Sequence, residues 1–137
     1  MSVDLDELQD FLKASNNFVV IVSLAPEIEK ALEAIRFLSE RGITISLGHT
    51  NATYEEAIRG INTGARHATH IFNGMRAYHH REPGVVGAVL LNNGVTCELI
   101  ADLIHLHPQT IELVYKLKGP DKMVLISDSM AATGLSD

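Results

Sequence analysis

Tryptophan is absent from this 137-residue chain, and cysteine occurs once, at Cys97. A single thiol excludes an internal disulfide and fits a reducing compartment such as the cytoplasm. No apolar run approaches the ~18 residues that a membrane-spanning helix needs. The opening stretch, MSVDLDELQD, is acidic and amphipathic rather than a secretory signal. A basic balance is missing as well. The formal net charge is −6, which argues against a general nucleic-acid or membrane partner. Without low-complexity tracts or linkers, residues 1–137 read as one domain with room for a core. What the chain does have is Val, Ile, Leu and Ala. Apolar residues make up 46% and aromatic ones 5%, ordinary for an α/β protein.

Periodicity predicts alternating elements. Leu5, Leu8, Phe11 and Leu12 fall at helical spacing. The β-branched run from Phe18 to Leu24 lacks polar alternation and predicts a strand buried on both faces. Pro26 suits the first turn of a helix carrying Ile28, Leu32, Ile35 and Leu38, closed at Gly42. Ile43 to Leu47 predicts a second strand. Thr53-Tyr-Glu-Glu56 is a capping box opening a helix that Gly64 ends. Arg66 to Phe72 predicts a third strand, followed by a long loop and an apolar segment from Val85 to Leu91. Val95 to Ala101 predicts a fourth strand. Pro108 to Lys118 predicts a helix with Ile111, Val114 and Leu117 inward, and Met123 to Ser127 a fifth strand. This βα rhythm is that of a parallel sheet with crossover helices.

An open doubly wound sheet and a (βα)8 barrel share that rhythm. The first βα turn, Leu24-Ala-Pro-Glu27, has no glycine-rich phosphate loop, which disfavours a dinucleotide fold. Polar, metal-capable residues recur after strand after strand: His49, His70, His105 and Asp128. That is the pattern of a barrel's active face. Five strands are about five of the eight a closed barrel needs, so the expected fold is a partial TIM-type barrel.

The window 66–84 gathers Arg66, Arg76 and Arg81 with four of the seven histidines, against the single carboxylate of Glu82. Local positive charge in an acidic chain points to a small anion or a metal. His67 and His70 are three apart, so strand alternation turns at most one of them inward. His70, nearer the strand end, is the better ligand, and His67 is expected on the helix side or the surface. His107 immediately precedes a helix and is expected to cap it. Asp128 has two readings: it caps the residues after it, or it faces the site as a general base. Two neutral imidazoles, His49 and His70, with an aspartate to manage protons form a set suited to metal-assisted hydrolysis.

The motifs LGHTNATYEEA, GARHATHIFNGM, HHREPGVVGA, ELIADLIHLHP and LISDSMAATG, in this order and with VSLAPE before them, resemble the N-acetylglucosamine-6-phosphate deacetylases of the amidohydrolase superfamily. The resemblance implies that His49 and His70 bind a divalent metal, zinc or another ion such as iron. It implies that Asp128 accepts and returns a proton. Asn73, Gly74 and Arg81 would contact the phosphorylated sugar, and Asp102, Leu103, Ile104 and His105 would line its pocket. The implied substrate is a small sugar phosphate, and a dimer is implied because the cationic loop reaches a neighbouring subunit in some members. Leu103 stands where the family usually has glycine, and Gly74 where alanine is commoner. The family's third ligand, a glutamate in a His-Leu-Glu-Gly-Pro stretch, has no counterpart here. The expectation is therefore part of a deacetylase barrel that self-associates to cover its open edges. Two readings stand beside it: a related hydrolase with another amide substrate, or a non-catalytic βα module that binds an anion or a partner subunit.

Overall fold

A computed structural model describes residues 2–16 and 18–135. The elements run α1 (Leu5–Ala14), β1 (Ile21–Leu24), α2 (Ala31–Ser39), β2 (Thr44–Leu47), α3 (Tyr54–Thr63), β3 (His67–Ala68), α4 (Gly84–Leu91), β4 (Thr96–Ile100), α5 (Pro108–Lys118) and β5 (Met123–Ile126). The five strands form one sheet in the order β1-β2-β3-β4-β5, every neighbour parallel. A doubly wound sheet reverses its strand order at a switch point. Here each strand lies beside its sequence neighbour, as in a barrel wall. All five C-terminal strand ends consequently share one rim.

Local chemistry sets the helix ends. Thr53 and Glu56 form the expected capping box: Glu56 Oε2 accepts the Thr53 amide at 2.8 Å, and Thr53 Oγ1 accepts the Glu56 amide at 3.3 Å. Gly64, at φ +145°, ends α3. His107 caps α5, its Nδ1 accepting the Gln109 amide at 3.3 Å, as the sequence suggested. The apolar segment after residue 84 is the helix α4, buried from Gly84 through Leu90. Being apolar on every side, it packs as an interior helix.

Several expectations are corrected. β1 is not buried on both faces: it is an edge strand, and Phe18 and Val20 before it are 83% and 73% exposed. Pro26 lies in a turn, and α2 starts only at Ala31. β3 shrinks to His67–Ala68 because the chain turns immediately afterwards, with positive φ at His70 and Phe72. On α5, Leu117 is exposed and Lys118 is buried. The Lys118 ammonium donates to the carbonyls of Val89 and Asn92 at 2.9 and 2.6 Å, neutralising the C-terminal end of α4. Burial lowers its pKa.

One face of the sheet makes the core. Ile45, Leu47, Ala68, Cys97 and Leu99 are fully buried and join Ile35 and Leu38 of α2 and Val85 and Val89 of α4. Burial pushes the Cys97 thiol up to about 11, so this cysteine packs as a small apolar group. Among the described residues no helix is long and apolar enough to cross a membrane.

Candidate metal centre at the strand rim

β2 ends at Leu47, and Gly48 lets the chain leave the strand against Thr69: a Cβ on Gly48 would lie 2.8 Å from Thr69 Cβ. His49 follows with φ +47°, and His70, after β3, has φ +30°. L residues rarely adopt such conformations, and they cluster where a side chain must be aimed. Here both turns aim imidazoles at the same point. The two Nε2 atoms are 2.9 Å apart and the rings meet edge to face with centroids 4.6 Å apart. Gly74, at φ +57°, backs the pair; a Cβ there would come within 3.2 Å of His49 Nδ1. A cleft beside the pair is lined by His49, Thr50, Asn51, Gly74, Met75 and Arg76.

The separation suits two ligands of one ion, since nitrogens around a tetrahedral zinc lie about 3.3 Å apart. His70 Nδ1 is buried without a hydrogen-bond partner among the described residues, so a metal held through Nε2 would leave its N–H there without the acceptor that metal-bound histidines usually have. Among the described residues no third His, Cys, Asp or Glu joins them in a group able to hold a metal. The residues present thus fit two of the three protein ligands of a catalytic zinc.

Below the rim, the inner face of the sheet is polar. Thr69 Oγ1 bonds Ser46 Oγ at 2.6 Å and Ser23 Oγ at 2.8 Å. His67 is on this side, against expectation: its Nε2 meets Glu98 Oε1 at 3.0 Å and its Nδ1 meets Thr96 Oγ1. With β3 only two residues long, alternation does not extend from His67 to His70, so both serve the same side. Glu98 also accepts the His70 amide at 3.3 Å. Sequence reasoning missed Glu98, although a lone carboxylate inside the strand Thr-Cys-Glu-Leu-Ile was a usable signal. It likewise left Glu27 unassigned. That carboxylate accepts Thr50 Oγ1 at 2.6 Å and the Asn51 amide at 2.7 Å.

The remaining candidates share the rim in varying ways. Asp102, just past β4, accepts the amides of Ile104 and His105 at 2.9 and 2.8 Å, and its Oδ2 meets His105 Nδ1 at 2.7 Å. These bonds, led by the His105 amide, pull its carboxyl from 3.8 to about 2. Leu103, at φ +66°, and Ile104 are exposed. Asn73 is half-buried, its amide donating to Ile71 O at 3.4 Å. Asp128, at φ +51° after β5, is exposed between Ser127 and Ser129, whose hydroxyls meet at 2.8 Å.

The cationic window does not act as one unit. Arg66 donates to the carbonyls of Ile61 and Ala65 at the end of α3, and Arg76 Nε donates to Asn51 O at 2.8 Å. Arg81 is exposed, in a turn closed by two backbone bonds between His79 and Glu82. Among the described residues Glu82 forms no ion pair with an arginine. Its Oε1 accepts the amides of Tyr54 and Gly84, which lower its pKa and tie the loop to α3.

Residues 4–135 match the model of the amidohydrolase family. The chain is 45% identical over 133 residues to an N-acetylglucosamine-6-phosphate deacetylase of Vibrio furnissii, covering 97% of this chain and 33% of that protein. It is 41% identical over 132 residues to the Lysinibacillus sphaericus deacetylase, covering 96% of this chain and 34% of that protein. Among solved structures, it matches a D267A mutant of the Mycobacterium smegmatis deacetylase in complex with N-acetyl-D-glucosamine-6-phosphate. That match has a TM-score of 0.96 and 39% identity, over 100% of this chain and 36% of that one. The chain spans about a third of the length of the curated relatives it matches, in keeping with five barrel strands.

Proposed function

This chain belongs to the amidohydrolase family, and on that premise we propose that it forms the metal-holding part of a barrel that removes the N-acetyl group from N-acetylglucosamine 6-phosphate, releasing acetate. The observation that carries this reading is the meeting of His49 and His70 at 2.9 Å on the C-terminal rim of a parallel sheet. The two imidazoles would hold a divalent metal, zinc in the first instance. When bound, such an ion polarises a carbonyl and makes water a better nucleophile. The chain's residues do the rest. The Asp128 carboxylate takes the water's proton and returns it to the departing amine nitrogen. Arg81, with Asn73 and Gly74, holds the sugar phosphate through a guanidinium fork and close backbone approach. The Asp102–His105 pair presents an imidazole to the sugar with its Nδ1 side already occupied. The third protein ligand that a catalytic zinc takes is not found among the described residues. The buried thiol suits a cytoplasmic setting.

The apolar residues Phe18, before edge strand β1, Leu125, in edge strand β5, and Leu103 and Ile104, after β4, all more than half exposed, favour self-association, and sedimentation of the chain is expected to show a dimer or larger. A well-behaved monomer overturns that part. Zinc titration by calorimetry is expected to give weak binding that H49A/H70A abolishes. Tight one-to-one binding in the double variant overturns the ligand assignment. Joined to the flanking parts of the Vibrio furnissii relative, the chain is expected to release acetate from N-acetylglucosamine 6-phosphate, and Asp128→Asn to lower the rate by about 10²-fold or more. Unchanged turnover removes Asp128 as proton carrier. The missing third ligand supports a second reading, in which these residues alone bind an anion or a partner without turnover. Metal-independent phosphate binding that Arg81→Ala abolishes would favour it.

A further inference from the structure

We propose that Glu27 is the positioning residue of His49: its carboxylate holds the loop after β2 in the backbone conformation that turns the His49 imidazole towards His70. The proposal rests on reading those two histidines as a metal pair.

Three observations converge on it. First, both carboxylate oxygens go to the two residues that follow His49, Oε2 accepting Thr50 Oγ1 at 2.6 Å and Oε1 accepting the Asn51 amide at 2.7 Å. The Thr50 hydroxyl accepts the Ala52 amide at 3.0 Å, extending the hold one residue further. Second, His49 sits at φ +47°, which a non-glycine residue keeps only when its surroundings over-determine it. Third, the other side of the loop is already stitched. The Thr50 amide donates to Gly74 O, and the Arg76 amide donates to Thr50 O, both at 3.0 Å. Glu27 supplies the hold from the β1 side, where among the described residues no backbone bond to β1 follows that of the Gly48 amide to Leu24 O. The loop is thus clamped from both flanks, and the strained residue lies at the edge of the clamp.

Glu27 is also the carboxylate that a search for the missing third ligand would pick first. Its geometry argues against that role, because both oxygens are spent on the loop. It acts on a metal through His49, as ligand-orienting partners do.

The test uses the 137-residue chain with Glu27→Ala and Glu27→Gln. Ring-proton contacts between His49 and His70 are read by NMR, with zinc affinity by calorimetry. In Glu27→Ala the ring contact is expected to vanish and zinc affinity to fall about 10- to 100-fold, while the dispersion of the core resonances is kept. Glu27→Gln retains an acceptor for the Asn51 amide and is expected to recover most of both signals, falling about 3- to 10-fold short in affinity. A merely structural role would lower the melting temperature with the ring contact intact, and that result overturns the proposal. If Glu27→Ala does not fold, Glu27→Asp decides: one methylene shorter, it draws the carboxylate back from Thr50 Oγ1 and the Asn51 amide, and equality with the unsubstituted chain in ring contact and Asn51 amide exchange overturns the proposal. A chain that binds no zinc yet loses the ring contact in Glu27→Ala supports the positioning role and refutes the metal reading instead.

Discussion

The two faces of the same five strands obey different rules. On the helix side Leu47, Ala68, Cys97 and Leu99 are fully buried and apolar. On the inner side Ser23, Ser46, His67, Thr96 and Glu98 form a polar layer beneath two strained histidines. Alternation places consecutive residues on opposite faces, so a five-residue strand such as Thr96–Ile100 serves stability and chemistry at once. The apolar face owes its stability to area removed from water, which tolerates exchange among residues of similar volume. The polar face depends on donors and acceptors meeting at bond length, where one lost partner strands another.

That contrast can be broken by substitution. The largest effect is expected on the helix face: Leu99→Ala should cost about 2–5 kcal/mol in urea unfolding, because a fully buried side chain leaves a cavity. A cost below about 1 kcal/mol would show that the helix layer is not close-packed. At the junction of the faces, Gly48→Ala should cost about 1–3 kcal/mol, since the new methyl meets Thr69 Cβ at 2.8 Å. It should also disturb the His49–His70 ring contact, which Leu99→Ala should leave intact. On the inner face, Ser46→Ala should cost only about 0.5–1.5 kcal/mol, because Thr69 keeps its bond to Ser23. An inner-face loss equal to that of Leu99→Ala would erase the distinction.

The smallest effect is a pH dependence at the rim. The Asp102 carboxyl is held below its ordinary value, so the folded chain binds its proton less readily than the unfolded chain. Its stabilisation is present above pH 3.8 and is lost as the pH falls through about 2. Unfolding curves of Asp102→Asn and the unsubstituted chain should therefore differ at pH 5 and converge towards pH 2. A constant difference across that window would assign the effect to shape rather than ionisation.

Much of the fold was legible because local chemistry decides it. The Thr53–Glu56 capping box, the helix beginning at Pro108 and the ending at Gly64 depend on neighbours within four residues. β1 and β3 were read too long for opposite reasons. β1 has the composition of an interior strand but an edge's surroundings, and β3 is cut short by a turn that no proline or glycine announces. His49 and His70 could be named because each follows a strand. His67 was misplaced because alternation was carried past the end of β3, and Glu98 went unnoticed because its partner lies on another strand.

By itself the sequence determined the βα rhythm, the helix caps, the rim histidines and the family resemblance, since these reside in spacing and in short motifs. Only the tertiary structure decided that two imidazoles 21 residues apart meet at 2.9 Å, that two of three clustered arginines tether loops, and that Glu27 reaches across to the loop behind His49. Such contacts join residues far apart in the chain. They exist only once parallel strands bring their ends to a common rim.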